Sequence, residues 1–126
     1  MNKKKILVVD DSRTALFMVT TLLRKERYDL VTACDGEQAL EMAAAERPDL
    51  ILMDVIMPRK TGFEACRELK RREDTKAIPV ILVTTRGEGE NVEEGFASGC
   101  NDYVTKPINA QELLTKVRDH IGGRER

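Results

Sequence analysis

The centre of the chain reads Asp49-Leu-Ile-Leu-Met-Asp-Val-Ile-Met-Pro-Arg-Lys-Thr-Gly62. Its apolar run, residues 50–53, predicts a β-strand that is buried on both faces. The run ends on Asp54, a carboxylate that is costly to bury without a partner. Pro58 and Gly62 then predict an irregular loop before the next helix. Open α/β sheets place their binding sites at the carboxyl ends of strands, so Asp54 is the first candidate functional residue.

Four other segments have a β-prone character, and helical patterns separate them: 6–9, 30–33, 80–83 and 102–105. Continuous apolar runs in the central strands, without alternation, predict parallel strands that are covered by helices on both faces. Short, right-handed connections then favour one topology. The sequence therefore predicts an α/β fold, a doubly wound five-stranded parallel sheet of order 2-1-3-4-5 in a flavodoxin-like (βα)5 arrangement.

Polar residues predict the ends and outer faces of the helices. Ser12 is expected to cap the first helix, and Asn109, with Glu112 three residues later, resembles a capping box for the last. Residues 90–98 form a weaker helical pattern, rich in Glu and Gly. The third helix carries a basic group outside its apolar stripe, which we interpret as a solvated face: Arg67, Lys70, Arg71 and Arg72.

Length and composition restrict the class of protein. The 126 residues suit a single domain, 1–126, with a core over about 5–121 and a short charged tail. A formal net charge of −1 gives no reason to expect binding to nucleic acid or to an anionic membrane. No apolar stretch is long enough to span a bilayer or to act as a signal peptide.

Three cysteines and one histidine match no metal or redox spacing. We interpret the cysteines as small buried residues in a reducing compartment, which predicts a cytoplasmic protein: Cys34, Cys66 and Cys100. His120, in the last predicted helix, is interpreted as a surface residue and not as a catalytic base.

Polar residues follow four of the five predicted strands and are expected to meet at one edge of the sheet: Asp10, Asp11, Asp54, Thr84 and Lys106. Taken singly, each has a simpler explanation as a cap, a turn residue or a surface charge. Their shared position at strand ends favours a joint site. Three carboxylates in contact repel unless they hold protons or a cation, and hard oxygen ligands on an open rim suit Mg²⁺.

Phosphoryl transfer to a carboxylate is the chemistry that uses such a set. Asp54 would be the nucleophile and form an aspartyl phosphate, with Mg²⁺ offsetting the negative charge. Lys106 would supply a positive charge and Thr84 a hydroxyl donor for the phosphoryl oxygens. A Ser, Cys or Thr nucleophile is less supported because no base is placed to activate it.

Four motifs resemble those of CheY-like receiver domains of two-component response regulators, over nearly the whole chain: Val8–Ser12, Met53–Pro58 with Gly62, Leu82–Thr84, and Asp102–Pro107. The resemblance implies that Asp54 accepts a phosphoryl group, which Thr84 and Lys106 grip. It also implies that Mg²⁺, for which Mn²⁺ can substitute, is held by Asp10, Asp11, Asp54 and the backbone carbonyl of Ile56.

The resemblance further implies a switch. Tyr103 would turn inward when Thr84 moves. The face built from the weaker helix at 90–98, the fifth strand and the last helix would then change its binding to a target. The Lys106–Pro107 bond is expected to be cis. Three positions near the site vary among receiver domains. Thr85 stands where a smaller residue is common and is expected to restrict access to Asp54, and Ile56 and Arg86 are expected to affect the lifetime of the phosphoryl group.

The predicted function is a phosphorylation-dependent switch of the chemotaxis or motility kind, without an output domain and without turnover of an external substrate. Its expected partners are a sensor histidine kinase or phosphotransfer protein and a downstream protein, and it would be a monomer or weak dimer. Three alternatives remain open: a Mg²⁺-dependent phosphohydrolase working through an aspartyl phosphate, a pseudo-receiver that only docks, and a receiver excised from a longer protein. Adjacent Asp10 and Asp11, in place of Asp-x-Asp, disfavour the phosphohydrolase.

Overall fold

The computed structural model describes residues 3–85 and 96–122. In these ranges the strands are β1 (Lys5–Val9), β2 (Asp29–Ala33), β3 (Leu50–Asp54), β4 (Val80–Thr85) and β5 (Asp102–Lys106). The helices are α1 (Arg13–Arg24), α2 (Gly36–Glu46), α3 (Gly62–Arg71) and α4 (Ala110–Ile121). The weaker pattern at 90–98 lies mostly outside the described residues, although Phe96 and Ala97 are helical. Arg86 also lies outside them, as does the side chain of Thr85.

All five strands are parallel and lie in the order β2-β1-β3-β4-β5, which confirms the predicted topology. Strand β3 is central, with Val9 beside Met53 on one side and Val83 beside Asp54 on the other. The order reverses between β1 and β3, so the carboxyl ends of these two strands flank the crevice where doubly wound sheets bind ligands.

Two apolar clusters fill the space on opposite faces of the sheet. One joins the sheet to α2 and α3, and Ile51 and Met53 point into it. The other joins it to α1 and α4, and receives Leu50 and Leu52 from the same strand. Because β3 alternates between the two clusters, all five of its residues are buried. Helices on both faces explain why residues 50–53 of this strand are apolar without interruption.

The predicted N-cap residues of α1 and α4 do cap these helices, but the capping box predicted for α4 is incomplete. Ser12 accepts a hydrogen bond from the Ala15 amide at 3.2 Å, as predicted. Asn109 accepts from the Glu112 amide at 2.9 Å, but the Glu112 carboxylate pairs with Lys116, so the second half of the predicted capping box is wrong. A complete capping box, formed by Thr61 and Glu64, begins α3 instead.

Two interpretations of surface and core need correction. Cys66 and Cys100 are buried, but Cys34 is exposed because it lies where β2 passes into the cap of α2. Lys70 does not belong to a solvated face, since its ammonium donates to the Ile78 carbonyl at 2.8 Å and to Asn101 Oδ1 at 2.9 Å. Within the described ranges, no helix has the length and hydropathy to cross a membrane.

Candidate functional site

Three carboxylates meet at the carboxyl edge of the sheet, beyond β1 and β3. Each of Asp10, Asp11 and Asp54 offers an oxygen, and these oxygens lie within 4.8 Å of one another. Asp10 is buried and oriented by the Ser12 amide, which donates to its Oδ1 at 3.0 Å, whereas Asp11 is exposed. Oxygen ligands of this kind, part buried and part open to water, fit a hard divalent cation such as Mg²⁺.

Lys106, at the end of β5, reaches across the edge to the carboxylates. Its Nζ lies 3.4 Å from Asp54 Oδ1 and 3.6 Å from Asp10 Oδ2. The Lys106–Pro107 peptide bond is cis, as predicted. One ammonium facing three carboxylates leaves the site with an excess of negative charge, which favours a bound cation.

Asp54 is 7% exposed, and its environment penalises the ionised form. Burial, reinforced by the Asp10 carboxylate, raises its pKa from 3.8 to about 6, although Lys106 opposes the rise. Near neutral pH the carboxyl is therefore still mostly ionised and can act as a nucleophile.

Thr84, on β4 between Asp54 and Lys106, is 6% exposed. Its Oγ1 is buried and has no hydrogen-bond partner among the described residues. An unpaired buried hydroxyl costs free energy, and such groups in folded proteins call for an explanation such as a ligand. A hydroxyl donor is thus available beside Asp54 and Lys106.

Glycine permits the chain to turn closely behind Asp54. A Cβ at Gly62 would overlap the Asp54 carbonyl oxygen and lie 2.9 Å from Val55 Cα, so only glycine fits. The Gly62 amide donates to the Val55 carbonyl at 2.8 Å and closes the loop of residues 55–61. Ile56 is in this loop, with its side chain exposed.

Tyr103 lies on β5 three residues before Lys106 and is half-buried. Its ring meets Phe96 edge to face, with centroids 5.5 Å apart, and Lys116 Nζ lies 5.4 Å from the ring centroid. Lys116 also donates to the Tyr103 carbonyl at 2.6 Å. Both neighbours therefore hold the ring in its observed position.

His120 is far from this edge. It is half-buried, and its Nε2 lies 3.2 Å from Asp102 Oδ2, at the amino end of β5. The structure thus brings Asp10, Asp11, Asp54, Thr84 and Lys106 to one edge and leaves His120 at the other. The sequence analysis did not predict that the Ser12 amide orients Asp10 by a hydrogen bond. The two-residue spacing of Asp10 and Ser12 was the signal that could have indicated it.

The family model for the response regulator receiver domain matches residues 6–118. The chain is a response regulator receiver domain. Among curated relatives, this receiver domain is 38% identical to the protein PilH of Pseudomonas aeruginosa over 119 residues, which cover 94% of the chain and 98% of PilH. The chain spans a smaller share of the length of other relatives: 48% of the probable transcriptional regulator ycf27 of Cyanophora paradoxa and 25% of the response regulator PleD of Caulobacter vibrioides.

Solved structures agree. The receiver domain of the sensor histidine kinase PA1611 from P. aeruginosa, which has magnesium coordinated in its active-site cleft, superposes with a TM-score of 0.88 at 31% identity, covering 95% of this chain and 98% of that one. The chemotaxis response regulator CheY4 of Vibrio cholerae gives 0.87 at 36% identity, covering 94% and 98%. The Ssk1 receiver domain of Saccharomyces cerevisiae, solved with the phosphotransfer protein Ypd1, gives 0.85 at 25%, covering 94% and 89%. The family match and the structural similarity confirm the predicted family and fold. Because receiver domains are signalling modules of two-component systems, they also confirm the predicted class of function.

Proposed function

We propose that this receiver domain is a switch in which Asp54 accepts a phosphoryl group from a sensor histidine kinase or a phosphotransfer protein. The orphan hydroxyl of Thr84, on the strand beside Asp54, is the observation that carries the proposal. A phosphoryl oxygen would give that hydroxyl the acceptor it lacks. The pairing of Ypd1 with the Ssk1 receiver supports the kind of donor.

In the proposed reaction a carboxylate oxygen of Asp54 attacks the phosphorus of the donor. The bond from phosphorus to the donor nitrogen breaks, and its electron pair leaves with the imidazole of the donor histidine. Lys106 and Thr84 stabilise the charge on the transferred oxygens, by an ammonium and a hydroxyl donor respectively. Asp54 needs no base to activate it because its carboxyl is already ionised near neutral pH.

The residues that would hold Mg²⁺ are Asp10, Asp11, Asp54 and the backbone carbonyl of Ile56, and Mn²⁺ can take its place. The three clustered carboxylates fit such an ion. When bound, Mg²⁺ supplies positive charge that offsets the negative charge of the carboxylates and phosphoryl oxygens. The magnesium in the cleft of the PA1611 receiver supports this assignment.

The proposed response begins when Thr84 moves toward the phosphoryl group. Tyr103 then turns inward and leaves Phe96 and Lys116, its present neighbours. The surface formed by Phe96, β5 and α4 changes and binds or releases a downstream protein. Similarity to the chemotaxis response regulator CheY4 supports a regulator of the chemotaxis or motility kind, and PilH, matched over 98% of its length, supports residues 1–126 as one domain. A cytoplasmic location and a monomeric or weakly dimeric state stay predictions.

Intact-mass measurement after incubation with acetyl phosphate and Mg²⁺ tests the proposal. We expect one phosphoryl adduct on the native chain, and none with Asp54→Asn or after chelation of Mg²⁺. Asp49→Asn is the matched control because Asp49 precedes the other end of β3, where it accepts from the Lys5 amide, so its adduct is expected to persist. An unmodified native chain would instead support a pseudo-receiver, and rapid turnover of a phosphomonoester would support a phosphohydrolase.

A further inference from the structure

The loop of residues 55–61, which we call the β3–α3 loop, rests directly on the start of α2. A Cβ at Gly36 would overlap the carbonyl oxygen of Lys60 and lie 2.6 Å from Lys60 Cβ. Gly36 is buried, and its lack of a side chain lets the two backbones meet. Any other residue at position 36 would push the loop away or shift the helix.

Side chains tie the same loop to two helices. Lys60 Nζ lies 2.5 Å from Glu68 Oε2 on α3 and 3.8 Å from Glu37 Oε2 on α2. The side chain of Lys60 is only 19% exposed, so this pairing is partly shielded from water. A hydrogen bond with Glu68 is the largest cause of the raised pKa of Lys60. The neighbouring residue, Arg59, also contacts α2, because its Nε lies 3.3 Å from Oδ2 of Asp35, the N-cap residue of that helix.

The backbone of the loop is also constrained. The Lys60 amide donates to the Pro58 carbonyl at 2.7 Å, and Arg59 has a left-handed φ of 72°. A non-glycine residue keeps such a conformation only where its surroundings impose it. Ile56 thus lies between Asp54, at the end of a buried strand, and Lys60, held by two helices.

We propose that Lys60 is a positioning residue for the metal site, and that with Gly36 it holds the β3–α3 loop so that the Ile56 carbonyl can join the three carboxylates as a ligand. This inference rests on the proposed Mg²⁺ site. Groups that orient metal ligands without touching the ion are known to alter metal affinity substantially.

The sign of the effect separates positioning from simple electrostatics. Lys60 is a cation on the loop that would supply a metal ligand, so the loss of its positive charge alone would favour, and not oppose, Mg²⁺ binding. Loss of its tie to the helices would weaken Mg²⁺ binding because the free loop must be ordered when the ion binds. Replacing Lys60 with an uncharged residue therefore sets the two effects against each other.

The experiment is a calorimetric titration of Mg²⁺ into metal-free protein. We expect Lys60→Met to weaken binding by about 10-fold, while Lys60→Arg, which keeps the charge and a donor, stays close to native. Glu68→Gln, which breaks the same pair from the other side, is expected to weaken binding too. Lys76→Met and Glu73→Gln are the matched controls, since that pair, 3.0 Å apart, is exposed after α3, and both are expected to bind Mg²⁺ normally.

A second readout separates positioning from loss of structure. With acetyl phosphate, Lys60→Met is expected to need more Mg²⁺ for half-maximal phosphorylation but to reach the native rate when Mg²⁺ is saturating. Gly36→Ala, which displaces the loop without changing charge, is expected to behave in the same way. Circular dichroism at each Mg²⁺ concentration checks that the variants are folded.

Two results would overturn the inference in distinguishable ways. If Lys60→Met and Gly36→Ala bind Mg²⁺ as tightly as the native chain, or more tightly, while the native chain is phosphorylated, positioning by Lys60 is wrong and the proposed function stands. If the native chain neither binds Mg²⁺ nor accepts a phosphoryl group, the proposed function fails and the inference fails with it.

Discussion

Lys106 Nζ lies 3.4 Å from Asp54 Oδ1, so the ends of β5 and β3 are joined across β4. The same ammonium is 3.6 Å from Asp10 Oδ2. Without a bound metal, Lys106 is the cation nearest these two carboxylates among the described residues. It therefore has two effects, since it favours ionised Asp54 and competes with an incoming metal ion for the same oxygens.

Replacing Lys106 with Met should make both effects visible. We expect the pKa of Asp54 to rise above its present value of about 6 because the opposing charge is lost. Mg²⁺ should bind about 10-fold more tightly, since it no longer has to displace an ammonium. NMR titration of the Asp54 carboxyl carbon and calorimetry measure the two quantities. Lys116→Met is the control, because Lys116 pairs with Asp102 at the other end of β5, and an equal effect there would contradict the assignment.

Asp54→Asn should stabilise the metal-free protein in a pH-dependent way. Folding raises the pKa of Asp54, so ionisation costs stability: the cost is absent below pH 3.8, grows as pH rises and is complete above about pH 6. The rise is equivalent to at most about 3 kcal/mol. We expect denaturant unfolding to show a gain of about 1–3 kcal/mol for Asp54→Asn at pH 7.5 that disappears near pH 4. A gain that does not change with pH would show that ionisation is not its cause.

Thr84→Val should separate stability from function. The Thr84 hydroxyl has no described partner, so its removal should leave the free energy of unfolding unchanged or raise it by about 1 kcal/mol. Phosphorylation by acetyl phosphate should become slower because a donor to the phosphoryl oxygens is lost. Thr75→Val is the matched control, since buried Thr75 Oγ1 donates to the Leu69 carbonyl at 2.8 Å and its loss should cost about 1–2 kcal/mol. Equal destabilisation by both changes would contradict the orphan assignment.

Lys70→Met should destabilise the fold although Lys70 is far from the candidate site. Its ammonium bonds the Ile78 carbonyl and Asn101 Oδ1, just before β4 and β5. We expect a loss of about 1–3 kcal/mol, because hydrogen bonds from a charged donor are stronger than neutral ones. Arg71→Met, at an exposed neighbour, should change the free energy of unfolding by less than about 0.5 kcal/mol. Thermal unfolding followed by circular dichroism compares them.

The sheet and the gathering of the site residues were predictable from the sequence. The run 50–53 has no polar residue, and a strand covered on both faces accounts for that pattern. Once the strand order is known, Asp10, Asp54, Thr84 and Lys106 must lie at one edge, since parallel strands end together. Both predictions depend on periodicity and on position within an element, which the sequence records locally.

Other features depend on contacts between distant residues and leave no local pattern. Lys70 looks like its neighbour Arg71 in the sequence, yet its partners are a loop carbonyl and Asn101, 31 residues away. Gly36 looks like an ordinary turn glycine, although its use is to admit the backbone of Lys60. Cys34 is exposed because β2 ends beside it. Such features become visible only when the elements are packed together.

Strand β3 contributes to both apolar clusters and is hydrogen-bonded on both sides, to β1 and to β4. Its amide protons should therefore be among the slowest in the chain to exchange with solvent, opening only when the whole domain unfolds. The proposed phosphoryl acceptor, Asp54, therefore belongs to the strand that is expected to have the least local motion in the domain. A chemical event at Asp54 cannot be absorbed by movement of its own strand, so the displacement must appear in the segments that follow the strands at this edge.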